Sequence, residues 1–588
     1  MLTTFDRVRA MTTTRLRSSL ACLLIFSFGL SFTLFQRPAK AAWPAPARGK
    51  HGMVASQHEI ASRIGADIMK RGGNAVDAAI AVGLALAVVY PEAGNLGGGG
   101  FMLIRTGKGE VHAIDYREMA PKAASRDVFV NGSGDLIKGE GSSTVGYRAS
   151  GVPGTLAGFE MAFKKYGSGK VTWADLVRPA RMAAQNGYVL SYRLAELFKS
   201  YKDTLAKYED SNRIFLNGGK YFEEGDTFKQ PDLAATLSRV ERLGAKEFYT
   251  GQTAHMIADD MKAHNGLITL EDLKNYQAKE RTALRGTYRG YEVITMPPPS
   301  SGGIVMLQVL NMLEGYDVKA MKYNSASKYQ LFAEAERRAF ADRAEFMGDP
   351  DFAKVPVSRL IDKDYAKSRG SSISLTRASV SQQVGHGEIP GAESMDTTNF
   401  TVVDPQGTVV TNTYTLNDLY GSRVTAKGTG VLLNDEMDDF AARPGKPNMF
   451  GLIQGEKNSV QGGKRPLSSM TPTIVLKKDG SLWFALGARG GPRIISAVIQ
   501  SVINVIDHGM DIQAAIDAPR VHHQWLPDEL MYEPEGFSPD TLSLLAGFGH
   551  KFIDKPANVA QANGIMIDDK GVRLGAMDSR GDGLALGF

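Results

Sequence analysis

Thr397 stands where a polar segment ends and a β-strand pattern begins. The segment before it, 376–396, is rich in Ser, Gln and Gly and predicts an exposed, mobile linker. A threonine hydroxyl is a weak nucleophile, but an α-amine on the same residue can act as its general base, because such an amine titrates at about pH 7.7–8. The amine exists only if the Asp396–Thr397 bond is cut, and an exposed linker permits that cut. Thr397 is therefore a candidate nucleophile of a self-processed chain, with a plain domain linker as the alternative.

The residues after Thr397 predict a β-hairpin that turns at 404–407. A three-residue loop with Gly407 in the left-handed conformation would place Thr415 opposite Thr397. A two-residue loop would place Tyr414 there instead. The hairpin alone favours a structural threonine pair over a catalytic one, because cross-strand threonines stabilise sheets in their own right.

Three other sequence patterns resemble ligand-binding or metal-binding motifs but do not meet their requirements. The glycine-rich run 94–100 precedes a strand pattern, whereas a dinucleotide-binding loop requires a helix there. Residues 167–170 lack the first glycine of a phosphate-binding loop, and Val171 replaces its Ser or Thr. His522 and His523 have no partner ligands at useful spacing, so we expect no metal site.

The elements that must position Thr397 are helices and antiparallel hairpins. Ser56 and Glu59 have the spacing of a capping box and predict a helix to about Lys70. Asn74 can cap a second, nearly all-apolar helix that ends before Pro91 and should be buried on most sides.

Four apolar hairpins turn on glycine-containing loops, and helical patterns lie between them. The hairpins are 101–116, 399–416, 473–486 and 565–576. Helical patterns include 326–346 and 494–506, and the range 151–390 is predicted to be largely helical. With 43% hydrophobic and 22% charged residues the chain is an ordinary globular protein, and this element order indicates an α+β layered fold.

Residues 1–41 have the pattern of an export signal. A basic region is followed by an apolar stretch at 20–35 and by Ala39-Lys40-Ala41, which suits signal peptidase. Sixteen helical residues rise about 24 Å, less than a bilayer core of about 30 Å, which favours cleavage before Ala42 over an uncleaved anchor. The segment holds the only cysteine, Cys22, so no disulfide framework is expected. Of 68 basic and 63 acidic groups it holds six and one, which leaves the mature chain with 62 of each and no basic patch for nucleic acid.

Longer motifs resemble the γ-glutamyltranspeptidase family, in family order from about residue 50 to the C terminus. They are DTTNFTVVDPQGTVVTNTYTLN at 396–417, REMAP at 117–121, PPPSSGG at 297–303, LLNDEMDDF at 432–440, KRPLSSMTPTIV at 464–475 and GARGGPRII at 487–495. The resemblance implies an N-terminal-nucleophile hydrolase. Its α+β fold would be a four-layer αββα sandwich of two stacked, mainly antiparallel sheets flanked by helices.

The resemblance also implies a precursor that cuts itself between Asp396 and Thr397. The large fragment, 42–396, and the small fragment, 397–588, would form one intertwined domain with charges of +4 and −4. Thr397 would attack its own preceding carbonyl and later the substrate, and Thr415 would orient it. Gly490 and Gly491 would form the oxyanion hole, where small residues let backbone N–H groups approach the substrate.

By the same resemblance, six residues would bind the two charges of a γ-glutamyl group. Its α-carboxylate would meet a guanidinium and two hydroxyls, and its α-ammonium would meet an acid assisted by two neighbours. The carboxylate set is Arg117, Ser468 and Ser469, and the ammonium set is Asp439 with Glu436 and Asn417. Residues 444–455 resemble a lid in which Phe450 replaces the usual tyrosine.

The implied activity is that of an exported γ-glutamyltransferase and glutathione hydrolase, located in the periplasm or secreted. Thr397 would form a γ-glutamyl ester, release cysteinylglycine from glutathione, and pass the group to water or to an acceptor amino acid or peptide. No metal or organic cofactor, no nucleic acid and no stable membrane span are expected. A β-lactam side-chain acylase acting on a glutaryl group is the first alternative. A processed but catalytically silent binding protein is the second.

Overall fold

The computed structural model describes residues 43–385, 398–444, 449 and 455–588. In these residues the strands are, in chain order, β1 (Ala47–Gly49), β2 (Met53–Ser56), β3 (Gly99–Arg105), β4 (Val111–Tyr116), β5 (Tyr188–Val189), β6 (Thr227–Phe228), β7 (Lys279–Arg281), β8 (Leu284–Tyr288), β9 (Tyr291–Thr295), β10 (Thr398–Val403), β11 (Val409–Thr415), β12 (Thr425–Ala426), β13 (Val431–Leu432), β14 (Thr473–Leu476), β15 (Leu482–Arg489), β16 (Val521–His522), β17 (Met531–Tyr532), β18 (Gln561–Ile567), β19 (Arg573–Met577) and β20 (Leu584–Gly587).

The α-helices of the same residues are α1 (Glu59–Lys70), α2 (Ala75–Val89), α3 (Thr155–Tyr166), α4 (Trp173–Asn186), α5 (Tyr192–Ser200), α6 (Lys202–Leu205), α7 (Glu209–Phe215), α8 (Pro231–Leu243), α9 (Lys246–Thr250), α10 (Gln252–Ala263), α11 (Leu270–Asn275), α12 (Gly302–Leu313), α13 (Val318–Met321), α14 (Ala326–Phe346), α15 (Val357–Leu360), α16 (Lys363–Gly370), α17 (Arg493–Ile506), α18 (Ile512–Asp517) and α19 (Pro539–Gly547). In the part of the chain described, no helix combines the length and the apolarity needed to span a bilayer.

Two seven-stranded antiparallel sheets form the centre of the unit Pro46–Phe588. One, the nucleophile sheet, has the order β20-β2-β10-β11-β3-β4-β7. The other, the facing sheet, has the order β1-β19-β18-β15-β14-β9-β8. The α+β fold with two stacked sheets, predicted from the sequence, is confirmed.

Side-chain alternation in β10 shows how the layers stack. Phe400 and Val402 point to a core shared with α1, α2 and α3, whereas Val403 belongs to the core shared with the facing sheet. That second core continues through the facing sheet to α12, α14 and α17. Because residues alternate between the faces of a strand, one strand contributes to both cores. The layers therefore run helix, sheet, sheet, helix.

The β10–β11 hairpin has the three-residue loop that the sequence offered as one of two options. The Asp404 N–H donates to the Thr408 carbonyl at 3.1 Å, and Gly407 has a φ of 81°. The register pairs Thr398 with Tyr414. Thr397 itself lies outside the described residues.

Most predicted elements are present with nearly the predicted bounds. The four hairpins correspond to β3–β4, β10–β11, β14–β15 and β18–β19. Helix α14 has the predicted limits, α17 begins one residue early at Arg493, and all of α2 is buried behind its Asn74 cap.

Three expectations differ from the structure. The cap of α1 is His58, whose Nδ1 accepts from the Ile60 N–H at 3.2 Å, because Ser56 is still part of β2. The range 151–390 also holds a hairpin, β8–β9, whose two-residue turn places Arg289 and Gly290 at positive φ.

The third difference concerns the start of the segment 376–396. Ser381 is buried, and its carbonyl accepts from the Trp525 indole N–H at 2.8 Å. Ser379 binds the Glu334 carboxylate through both its hydroxyl and its N–H. The prediction of an exposed linker is therefore wrong at Ser381, whereas residues 376, 377, 380, 382 and 383 are exposed as predicted.

Candidate active site

Several strand ends meet at one edge of the nucleophile sheet. Thr415 ends β11 and pairs with Gly99, the first residue of β3. On the other side of β3, Tyr116 ends β4 opposite Gly100, so Arg117 leaves the sheet at the same edge. The sheet order therefore places Arg117 and Thr415 on either side of the first residues of β3.

The facing sheet contributes the turn Gly490–Gly491. In β15, Gly487 lies so close to Asn399 of β10 that a Cβ at this glycine would be 2.2 Å from Asn399 Oδ1. Arg489 ends β15 two residues later, and Gly490 follows. Antiparallel pairing and sheet stacking thus bring this turn to the start of β10.

The glycine run 94–100, which is not a dinucleotide-binding loop, has a packing function. A Cβ at Gly97 would lie 2.0 Å from the Leu432 carbonyl oxygen, and one at Gly98 would lie 1.9 Å from the Thr415 carbonyl oxygen. These separations are far below any tolerated contact, so only glycine lets the three chain segments meet. Sequence reasoning did not assign this run to the site.

Thr415 is held by its neighbours on both sides of the strand end. Its Oγ1 accepts from the Asn417 N–H at 2.8 Å, and its carbonyl accepts from Asn95 Nδ2 at 2.8 Å. Asn417 has a φ of 79°, and its Nδ2 donates to the Asp435 carbonyl at 3.0 Å. Thr415 Oγ1 accepts this N–H through a lone pair, so its own hydroxyl proton points to a different group.

Arg117 lies buried at the centre of the predicted charge pocket. Its two Nη atoms donate separately to Glu436 and to Asp439. Its Nε donates to the Pro466 carbonyl at 3.2 Å, and Nη2 donates to the Leu467 carbonyl at 3.1 Å. Burial alone would lower the pKa of Arg117, but the adjacent carboxylates raise it above its usual range. The guanidinium therefore stays charged.

Burial shifts the pKa of several acids of this pocket upward. Burial raises the pKa of Glu436 and of Glu118, which lie side by side against Arg117, and the Arg117 charge offsets this only in part. Burial also raises the pKa of Asp438 to about 7, although Ser143 Oγ donates to its Oδ1 at 2.6 Å. Within the described residues, Asp439 Oδ1 is buried and has no hydrogen-bond partner. That oxygen is a ready acceptor for a substrate ammonium group.

Ser468 and Ser469 lie beside this pocket and rest on the PPPSSGG segment. The Ser468 carbonyl accepts from the Ser301 N–H at 2.6 Å, and the Ser468 N–H donates to the Pro299 carbonyl at 2.8 Å. A Cβ at Gly302 would lie 2.9 Å from the Ser469 carbonyl oxygen. The serine pair is thus fixed by its backbone.

The Gly490–Gly491 turn has two backbone N–H groups that bind no acceptor among the described residues. Gly490 has a φ of 129° and Gly491 a φ of 60°, so both adopt conformations that favour glycine. In the described part of the chain neither N–H donates to a protein acceptor. Arg493 Nε donates to the Gly490 carbonyl at 3.1 Å, which turns the Gly491 N–H of the same peptide group to the opposite side. The turn can therefore hold an oxyanion.

Some predicted site residues fall outside the described part of the chain. Asp396, Thr397 and Phe450 lie outside the described residues, as does most of the lid segment 444–455. The rings of His522 and His523 are buried, and they contact Ser496 Oγ at 2.6 Å and Asp528 Oδ1 at 3.3 Å.

Sequence reasoning missed four side chains around the site. Asn434 Oδ1 accepts from the Glu436 N–H, and Asn458 Nδ2 donates to the Asp439 carbonyl. Glu118 contacts Arg117, and Arg343 contacts Ser469. Glu118 and Asn434 lie inside the REMAP and LLNDEMDDF motifs, which was the available signal. Arg343 lies near the C-terminal end of α14, where a charged residue in a helical pattern gives no such signal.

Comparison with known proteins gives a consistent result. Residues 61–588 match the family described as Gamma-glutamyltranspeptidase. The glutathione hydrolase proenzyme of Escherichia coli (strain K12) is 48% identical over 545 residues, which cover 92% of this chain and 93% of that protein. The glutathione hydrolase proenzyme of Pseudomonas sp. (strain A14) is 45% identical over 574 residues, 96% and 98% of the two chains.

A solved structure extends the comparison to the fold. The crystal structure of cephalosporin acylase from Bacillus halodurans matches with a TM-score of 0.80 and 25% identity, over 94% of this chain and 99% of that chain. The sequence family and the fold agree. The chain belongs to the gamma-glutamyltranspeptidase family.

Proposed function

We propose that the protein is a self-processing γ-glutamyltransferase and glutathione hydrolase. The observation that carries this proposal is the arrangement of charges at the sheet edge. The Arg117 guanidinium binds the buried Asp439 carboxylate, whose Oδ1 has no partner among the described residues, and it also donates to the Leu467 carbonyl next to the two serines. A γ-glutamyl group has an α-carboxylate and an α-ammonium. The guanidinium and the serines would bind the carboxylate, and the acidic side chain would bind the ammonium.

The β10–β11 register supports Thr397 as the nucleophile. Since Thr398 pairs with Tyr414, the next pair in the same register would join positions 397 and 415. Thr415 can then donate its hydroxyl proton to the nucleophilic oxygen, because its own Oγ1 already accepts from the Asn417 N–H.

Maturation requires only the chain itself and water. Thr397 Oγ attacks the Asp396 carbonyl carbon, the C–N bond breaks, and the nitrogen takes the hydroxyl proton to become the α-amine. Water then cleaves the resulting ester, which restores the Thr397 hydroxyl and leaves Asp396 with a carboxyl group. The freed amine is the general base for the second reaction.

Catalysis repeats the same attack on a substrate. The α-amine accepts the hydroxyl proton while Thr397 Oγ bonds to the γ-carbonyl carbon. The N–H groups of Gly490 and Gly491 stabilise the oxyanion, and donors of this kind contribute about 3–4 kcal/mol each. The C–N bond breaks, the proton passes to the leaving amine, and water or an acceptor amine resolves the γ-glutamyl ester.

The remaining features are proposed on the sequence pattern. Residues 1–41 are an export signal removed before Ala42, and the enzyme works in the periplasm or outside the cell. The fragments 42–396 and 397–588 remain together as a heterodimer. Glutathione and related γ-glutamyl compounds are donors, and amino acids, peptides or water are acceptors.

A cephalosporin acylase is the second candidate, because a protein of that description shares the fold over nearly the whole chain. A glutaryl group has no α-ammonium and would leave Asp439 Oδ1 buried without a partner, which is unfavourable. We expect kcat/KM for γ-glutamyl-p-nitroanilide to exceed that for glutaryl-7-aminocephalosporanic acid at least about 100-fold. The reverse order would establish the acylase.

Thr397→Ala tests the nucleophile. Mass spectrometry should find a single uncut, inactive chain for T397A, and fragments that begin at Ala42 and Thr397 for the native protein. Thr398→Ala is the matched control, because the neighbouring hydroxyl has no hydrogen-bond partner among the described residues. T398A should be cut normally, and a cut T397A would contradict the proposal.

A further inference from the structure

Arg343 is a buried cation that the mechanism above does not use. It lies near the C-terminal end of α14 with no exposed surface. Burial lowers its pKa to about 9, and the nearby Asp439 carboxylate acts in the opposite direction. A guanidinium with that pKa keeps its charge at neutral pH. A buried charge of this kind needs a function or a strong structural reason.

The Arg343 side chain reaches both residues of the serine pair by different routes. Its Nε donates to Ser301 Oγ at 2.7 Å, and Ser301 Oγ donates in turn to the Ser468 carbonyl at 2.7 Å. Its Nη2 lies 3.4 Å from Ser469 Oγ. One guanidinium thus fixes the Ser468 backbone and contacts the Ser469 hydroxyl.

The direction of these hydrogen bonds matters. A guanidinium has donors only, so a hydroxyl that faces it must accept and must turn its own proton elsewhere. Ser301 gives its proton to the Ser468 carbonyl. Ser469 Oγ likewise accepts from Arg343 Nη2, so the guanidinium restricts the side of Ser469 on which its hydroxyl proton can lie.

We propose that Arg343 is a positioning residue for recognition of the donor α-carboxylate, acting through Ser301 and the Ser468–Ser469 pair. This inference rests on the proposed function, because it assumes that the donor has an α-carboxylate at this site. It assigns a role to the PPPSSGG segment, whose Ser301 transmits the contact.

The test compares two donors with three forms of the enzyme. The donors are γ-glutamyl-p-nitroanilide and the same anilide with its α-carboxylate converted to a carboxamide. The enzymes are native, Arg343→Gln and Arg343→Lys. We expect R343Q to raise KM for the carboxylate donor about tenfold with kcat within about threefold, and to change KM for the carboxamide donor less than about twofold.

Two further variants separate positioning from folding. R343K keeps the charge and a donor, so it should restore KM for the carboxylate donor to within about threefold of native. Ser301→Ala keeps the Ser301 N–H contact to Ser468 and should raise that KM about threefold. Arg338→Gln is the matched control, because Arg338 lies buried on the same helix but binds Glu334 and Ser372 instead.

The outcomes are distinct. Equal KM changes for both donors in R343Q, or no change in either, would overturn the role of Arg343. If R343Q is not processed, R343K and S301A decide by the same donor comparison, and equal effects on both donors would overturn the role. A native enzyme that cleaves neither donor, or that does not prefer the carboxylate donor, would instead overturn the proposed function.

Discussion

At the scale of single residues, the charge pocket is already paired before a substrate arrives. Arg117 binds Glu436 and Asp439 directly, so a zwitterion must exchange these ion pairs for new ones. A ligand with both charges leaves no buried charge alone, whereas a ligand with one charge does, and an unpaired buried charge costs about 3–5 kcal/mol. In the proposed function, this pocket would therefore select ligands that carry both an α-carboxylate and an α-ammonium.

Asp439→Asn tests this selection. The amide cannot neutralise the α-ammonium, so kcat/KM for γ-glutamyl-p-nitroanilide should fall about 100-fold or more, while that for a glutaryl donor should change far less. Steady-state kinetics with both donors measures the ratio. Asp438→Asn is the control, because the neighbouring carboxylate is bound by Ser143 instead of Arg117. A D438N enzyme whose donor ratio changes as much as that of D439N would contradict the assignment.

The buried acid Asp438 also predicts a pH dependence of stability. Burial raises its pKa to about 7, so the folded chain holds a proton that the unfolded chain releases at lower pH. Its contribution is therefore lost as pH rises from about 4 to about 7. D438N removes this loss, and its urea midpoint should increase relative to native between pH 5 and pH 7.5. One pKa unit corresponds to about 1.4 kcal/mol, which limits the effect to about 4 kcal/mol.

Glu334→Gln provides a control for which the effect on stability should depend on pH in the opposite direction. The hydrogen bonds and charges of Ser379, Arg337 and Arg338 outweigh burial and lower the pKa of Glu334. Its contribution is present above the unfolded pKa and is lost as pH falls. E334Q should therefore be less stable than native at pH 7.5, with the difference shrinking toward acid pH. A D438N difference that does not change with pH would contradict the first prediction.

At the scale of elements, the start of α17 fixes the Gly490–Gly491 turn, which is the proposed oxyanion hole. Arg493 is the first residue of the helix, and its Nε fixes the Gly490 carbonyl while Nη1 donates to the Asn558 carbonyl at 3.1 Å. Arg493→Gln should release this peptide group and lower kcat about tenfold, with donor KM within about threefold, because the oxyanion forms only in the transition state. Arg573→Gln is the control, since Arg573 also binds turn carbonyls but at the Asp404–Pro405 loop. A changed KM with native kcat would contradict this role.

The elements around the site were largely predictable, but their contacts were not. Alternation and glycine-containing loops are local signals, and they identified the strands that end at Thr415 and precede Gly490. The resemblance supplied the roles of Arg117 and Asp439. Neither route revealed that Arg343 reaches Ser469, since 126 positions separate them. The close approach of Gly98 to the Thr415 carbonyl was hidden for the same reason, because it depends on how the strands pack.

At the scale of the whole molecule, the proposed cut divides the strands of both sheets between the two fragments. In the nucleophile sheet, β2 of the large fragment lies between β20 and β10 of the small fragment. In the facing sheet, β14 and β19 of the small fragment pair with β9 and β1 of the large fragment. Each fragment alone would therefore have exposed sheet edges and an open core.

This interleaving predicts that the cut fragments cannot separate while folded. Native protein that shows two bands in a denaturing gel should elute as one species of full mass in size-exclusion chromatography. The same elution is expected at 1 M salt, because apolar burial and strand pairing hold the fragments together more strongly than their charges of +4 and −4 do. In urea, circular dichroism and fragment release should change in the same transition. T397A, which keeps the chain uncut, is the reference for the same profile. Separate elution of the 42–396 and 397–588 fragments without denaturant would contradict this prediction, because each seven-stranded sheet contains strands from both fragments.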